Sequence, residues 1–291
     1  MGDRAFARRY VGIIQMNRLW QVFGVSLVLT QVGCGGSSGS DYRSSLQDSA
    51  LSSAGGQGDS DDGAVCLSPG DLSPGVARAA GIYAGSLDDG SETSGTLFLI
   101  GTDGRVRALL DSGPDYIAGD LAASGSTVTG DATLYSATAP AESLELAGSF
   151  TPESGMNLAV TGPFNGTLEL NYSDTADDAV LRPYCMETSD FAGTYDNADQ
   201  GTEITSFTVT EAGDVTGSDT DGCTYNGQIE SFNLEYGLFG VTLNAANCPA
   251  GRTNGDFEGL GFFLFDDTGV ATEIVLITNN DDAAIVADLR R

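Results

Sequence analysis

Five cysteines, forty-one carboxylates and no histidine bound the chemistry open to this 291-residue chain. Without an imidazole, no Ser-His-Asp or Cys-His arrangement can be assembled within it, and His-bearing metal sites are excluded as well. No two cysteines form a CxxC pair, so zinc and dithiol redox chemistry lack their usual signature. What remains for catalysis is a carboxylate pair of the glycoside-hydrolase type, one member of which needs a raised pKa in an apolar cleft. So many acids place some carboxylates together by chance, and the chain reads as a non-enzyme. Binding has more room. If the strands close into a barrel, Tyr83, Tyr135, Tyr172, Tyr195, Tyr225 or Tyr236 can offer amphipathic contact area at its mouth to a protein or small apolar ligand. The candidate binding residues are Tyr83, Tyr195, Tyr225, Asp219 and Asp221. Asp214, Asp219 and Asp221 also suggest a calcium ion held with turn carbonyls, although their spacing fits no EF-hand.

Cys34 stands apart from the other cysteines. The run from Trp20 to Gly33 is mostly apolar and ends against it, after a basic stretch with Arg8, Arg9 and Arg18. Basic, apolar and small residues in that order predict an export signal. The run is shorter than the roughly 20 apolar residues of a membrane span, and Gln21 and Gln31 interrupt it. Leu29-Thr30-Gln31-Val32-Gly33-Cys34 resembles a bacterial lipobox, in which the chain is cut before a cysteine that carries a thioether-linked diacylglycerol. Gly33 fits that pattern, and Gln31 stands where the pattern usually has Leu. Met16 offers a second, ordinary signal start. A diacylglycerol and an N-terminal acyl chain such as palmitate would anchor the protein firmly, where one chain alone binds marginally. Gly35 and Gly36 follow without an Asp, which resembles outer-membrane sorting in Gram-negative lipoproteins. The alternative is a plain secreted protein.

Cutting before Cys34 removes four arginines and Asp3, leaving eight arginines, no lysine, 40 acids and a net charge of −32. Such a surface repels nucleic-acid phosphates and anionic headgroups, so membrane contact is expected through lipid alone. Acids spread this evenly read as a solvated face, although they would also steer a cationic partner toward the chain.

Cys66, Cys185, Cys223 and Cys248 form an even set in an exported chain, which predicts two disulfides with three connectivities open. Cys66 and Cys185 bracket one strand-rich region and Cys223 and Cys248 lie inside a second, which favours Cys66–Cys185 and Cys223–Cys248. Residues 34–65 are rich in Gly, Ser and Asp and predict a flexible tether, with a reach of roughly 30 Å. Beyond Cys66, period-two apolar runs alternate with Gly and Asp turns. Strands are expected at 95–100, 105–110, 127–135, 143–147, 156–160 and 167–172. In the second half they are expected at 191–195, 204–210, 213–219, 223–232, 236–244, 255–265, 270–278 and 283–289. One turn of helix is expected near 72–80, with Pro74 at its start. The halves open alike, Ala80-Gly81-Ile82-Tyr83 and Ala192-Gly193-Thr194-Tyr195, which hints at duplication. The expected fold is all-β: two antiparallel, lipocalin-like barrels of roughly eight strands, at 66–187 and 188–291, with a β-sandwich as the alternative.

Gly193-Thr194-Tyr195, the run Gly217-Ser218-Asp219 to Gly222-Cys223 and on to Gly227, and Asn247-Cys248 resemble a group of proteobacterial hypothetical lipoproteins. Gly148-Ser149-Phe150 and the run from Gly166 to Tyr172 extend the resemblance into the first half. It implies pairing of Cys223 with Cys248 and brings no catalytic residues. The reading is therefore a lipid-anchored outer-membrane protein that binds a protein or small ligand, or serves structurally. The alternative is an inhibitor of a basic envelope-attacking enzyme such as lysozyme, some of whose bacterial inhibitors are small β-barrel lipoproteins, an analogy of fold and compartment.

Overall fold

The computed structural model describes residues 72, 75–110, 115–136, 141–172, 188–197, 205–232, 237–250, 253–265, 270–280 and 283–291. Its sixteen strands form two closed antiparallel barrels of eight strands each. The first runs β1 (Gly81–Asp88), β2 (Thr93–Ile100), β3 (Arg105–Leu110), β4 (Tyr116–Ser124), β5 (Thr127–Tyr135), β6 (Glu142–Thr151), β7 (Gly155–Thr161) and β8 (Asn165–Tyr172). The second runs β9 (Gly193–Asp196), β10 (Thr205–Val209), β11 (Asp214–Asp219), β12 (Thr224–Ser231), β13 (Phe239–Ala246), β14 (Gly255–Phe265), β15 (Ala271–Asn279) and β16 (Ala284–Arg290). Each strand pairs with the next, and closure removes the exposed edges an open sheet would present. β8 returns to β1 over six residue pairs, Tyr83–Tyr172 through Asp88–Thr167. β16 meets β9 at one pair, Arg290 with Asp196.

Two strands of the first barrel lie beyond the expected set. β4 carries Ala118, Gly119, Ala122 and Ala123, poor strand formers that tertiary pairing with β3 and β5 holds in place. β1 grows from the Gly81–Tyr83 motif. Ahead of it, residues Val76–Ala79 make one 3₁₀ turn where a helical turn was expected, and a second 3₁₀ turn, Thr188–Phe191, precedes β9. The repeated motif has a repeated structural use. Tyr83 donates its hydroxyl hydrogen to Ala79 O (2.9 Å) and Tyr195 donates to Phe191 O (2.8 Å), four residues back in each case. Each tyrosine thus ties a 3₁₀ turn to its barrel.

Alternation sends Leu144, Leu146, Phe150, Met156, Leu158, Val160, Leu168 and Leu170 into the first barrel, with acids and threonines between them facing water. Phe207, Val209, Val215, Tyr225, Val241, Leu243 and Phe257 do the same in the second. Small barrels need sharply coiled strands, which explains Gly227: a Cβ there would overlap the carbonyl oxygen of Thr242 on β13.

Some runs do not alternate. Residues 97–100, 260–265, 274–277 and 284–289 are buried at every position. Their outward side chains meet: Leu260, Phe262, Leu264, Val275, Ile277, Ala284 and Val286 of the second barrel belong to one continuous core with the first. β14 and β15 pack on β2 and β3. The barrels therefore form one compact unit. Each large apolar side chain buried there contributes about 1.5–3 kcal/mol.

Candidate functional site

The outer wall of the first barrel carries two neighbouring rows of side chains. In the first, strand register sets Arg105 opposite Asp120, Asp120 opposite Asp131, Asp131 opposite Glu145 and Glu145 opposite Thr161. In the second, two residues further along, it sets Arg107, Ala118, Thr133 and Ser143 side by side. Small residues in the second row leave a trough, and Glu258 and Asn279, paired across β14 and β15, close it from the second barrel. The result is a groove of about 700 Å³ at the junction of the barrels.

Arg107 lies in this groove and is only 6% exposed. Its Nη1 donates to Val106 O (2.7 Å) and its Nη2 to Glu258 O (3.0 Å), so one end of the guanidinium is held by each barrel. Nε has no partner. Among the described residues no carboxylate lies within ion-pairing distance of it. Burial lowers its pKa, the charge of Arg105 adds to that, and Asp120 opposes it. Arg105 is paired instead with Asp103, in the Asp-Gly turn between β2 and β3. Asp120, Asp131, Glu145 and Glu258 are exposed. Like charges directly opposite one another across strands destabilise a sheet, so the row Asp120–Asp131–Glu145 carries a cost.

A second carboxylate cluster lies on the outer face of β15 and β16. Glu273 is hydrogen-bonded to Asp288, and Arg290 Nε donates to Glu273 Oε2 (3.2 Å). Burial, then the charge and hydrogen bond of Asp288, push the Glu273 carboxyl up to about 7 against the pull of Arg290. A raised pKa is what a glycosidase acid requires. Retaining and inverting enzymes, however, hold their carboxyls about 5–9.5 Å apart around a glycosidic bond. These two touch each other and leave no space for one.

The residues singled out in the sequence serve other ends. Tyr83, Tyr195 and Tyr225 are buried inside the barrels, and none presents surface to solvent. Burial raises the pKa of Tyr83, with Glu153 adding to it, and raises that of Tyr195 against the charge of Arg291. Tyr172 packs edge-on against Tyr83 and Tyr135 stacks on Tyr116. Tyr225 donates to Asp219 Oδ2 (2.7 Å), while Asp219 Oδ1 accepts from Gly222 N and Cys223 N (both 2.9 Å). Asp219 is thus the hub of the turn between β11 and β12, with Gly222 at φ 105°. Its oxygens are engaged by the protein. Asp214 sits at the other end of β11, five residues and about 16 Å away. One calcium ion cannot be shared between them; Asp221 is exposed in the turn. Among the described residues no group of three or more His, Cys, Asp and Glu is arranged for a metal. Cys223 is bonded to Cys248, pinning that turn to the end of β13. Cys34, Cys66, Cys185 and Tyr236 lie outside the described residues.

Comparison with family models, curated proteins and solved structures finds no match to the chain. The groove was absent from the sequence reading, yet it left a trace there. Arg105 and Arg107 alternate with Val106 and Ala108 at the start of the apolar strand Arg105–Leu110, in a chain that has no lysine.

Proposed function

We propose that this protein is an exported lipoprotein of the outer membrane, anchored through Cys34 on its periplasmic face or at the cell surface. Residues 34–65 tether a non-enzymatic binding module made of the two barrels, which recognises a protein or small ligand at their shared groove. The observation that carries this reading is Arg107, a buried guanidinium without an anionic partner in an open groove. Buried charge is costly unless paired, and a partner from solution can supply the missing interaction. The inward tyrosines and phenylalanines pack on one another, which favours a site outside the barrels over one in their mouths. Among the described residues no helix is long and apolar enough to cross a membrane, which is compatible with a lipid anchor.

Mass spectrometry of the native protein tests the anchor. The expected result is a chain beginning at Cys34 with its acyl chains, and an unmodified Cys34 would refute it. Capture from envelope extract tests the groove, using the full chain beside Thr133→Trp, which fills the trough from an outward, half-buried position. A ligand lost on that substitution supports the reading; equal capture by both refutes it. The exposed row Asp120–Asp131–Glu145 also favours the inhibitor reading, in which the acids meet a basic enzyme of the lysozyme kind. That complex would weaken steeply between low and physiological salt.

A further inference from the structure

The groove is bipolar, and its two poles are separated by the architecture of the sheet. Arg107 stands on β3. Asp131 stands on β5, two strands away, and Glu145 on β6, one strand further. Neighbouring strands lie about 4.8 Å apart and the two rows are offset by two residues, about 7 Å along the strands, so the backbone positions of the two poles are about 12–16 Å apart across the barrel wall. Between them the trough is floored by Ala118, Thr133 and Ser143, whose short side chains leave room for a chain to lie across the strands. A simple anion reaching Arg107 would pass four carboxylates, those of Asp120, Asp131, Glu145 and Glu258. A simple cation on the acidic row would leave the buried guanidinium unpaired. A ligand carrying both charges at the matching separation answers both poles.

We propose that the groove binds a short zwitterionic chain, an unmodified peptide of about four residues. Its carboxylate pairs with Arg107, and its ammonium lies against Asp131 and Glu145. This deepens the binding reading above and rests on it. A tetrapeptide extends about 13–14 Å between its termini, because each extended residue spans about 3.3–3.6 Å. A single amino acid, whose charges are about 3 Å apart, is too short to reach both poles. Guanidinium–carboxylate pairing is the stronger of the two contacts, being charge-assisted and made at a largely buried guanidinium. The ammonium end is wet and confers orientation and length selection.

The test is titration of the full chain, in detergent, with three probes: tetraalanine, which carries both charges, N-acetyltetraalanine, an anion, and tetraalanine amide, a cation. Binding is read by calorimetry and by amide shifts of β3–β6. Tetraalanine should bind at least tenfold more tightly than either capped form. Arg107→Met should lose at least tenfold for tetraalanine, and Asp131→Asn or Glu145→Gln should lose severalfold. Arg107 bridges the barrels, so its variant is checked for folding. The two exposed acid variants carry the test if it fails to fold. Equal binding of tetraalanine amide and tetraalanine, equal binding of N-acetyltetraalanine and tetraalanine, or no shift with tetraalanine would overturn the proposal. In the last case, retained groove-dependent capture from extract would leave the broader binding reading standing, and lost capture would remove both.

Discussion

Glu273 offers a quantitative handle on the joined barrels, because its carboxyl titrates in a place where the folded chain resists charge. It sits on the outer face of β15 beside Asp288, which is itself only 5% exposed. Its pKa rises from about 4.5 to about 7 in the folded state, chiefly through burial. The folded chain therefore holds this proton more tightly than the unfolded chain does. Its contribution to stability is complete below about pH 4.5 and is lost as pH rises through about 7. Taken at face value that shift is worth about 3 kcal/mol. Residual solvent contact reduces the expected effect to about 1–2 kcal/mol.

Glu273→Gln keeps a hydrogen-bonding group beside Asp288 but cannot ionise. Urea unfolding of wild type and variant at pH 4.5, 6, 7 and 8, at fixed ionic strength, isolates the effect. The collective repulsion among the other acids is shared by both proteins and cancels in the difference. The variant should gain about 1–2 kcal/mol on the wild type between pH 4.5 and pH 8. A difference that stays flat across that range, or moves the other way, would refute the burial argument.

Removing the disulfide with Cys223→Ser and Cys248→Ser should cost about 2–5 kcal/mol, measured by denaturant unfolding, because it frees the Asp219 turn from β13. Asp219→Ala should cost about 2–4 kcal/mol in the same assay, since it strips acceptors from Gly222 N, Cys223 N and the Tyr225 hydroxyl at once. Gly227→Ala should destabilise by about 2–3 kcal/mol, as β12 and β13 must separate to admit the methyl group. Calorimetry should show both barrels melting in one transition, because their outer faces share a core; two well-separated transitions would contradict that.

Alternation and turns predicted an all-β chain of two barrels with a sandwich as the alternative, and the structure shows the barrels. Where one face of a strand meets water, as in Met156–Val160 or Thr205–Val209, the period of two is visible and the strand is found close to its expected limits, although β6, expected to end at Ala147, runs on to Thr151. The Asp-Gly turn at Asp103-Gly104 and the turn at Asp219–Gly222 were legible for a similar reason, since short side chains and positive φ are local demands. β4 was not legible, because its alanines and glycine are held as strand by neighbours distant in sequence. The candidate binding tyrosines could not be placed either: an amphipathic residue in a strand looks alike whether it lines a mouth or fills a core.

What tertiary structure decided is the relation between the halves. The runs 260–265 and 274–277 announce burial on both faces of their strands, but not what covers the outer one. Only closure of both barrels brings Leu260 and Ile277 against the first barrel and carries Glu258 O to Arg107. A groove built from β3–β7 of one barrel and β14–β15 of the other depends on contacts between residues some 150 positions apart. Local sequence encodes each strand's pattern of inward and outward faces; which outward faces meet is set by packing, where shape and desolvation act over the whole surface at once.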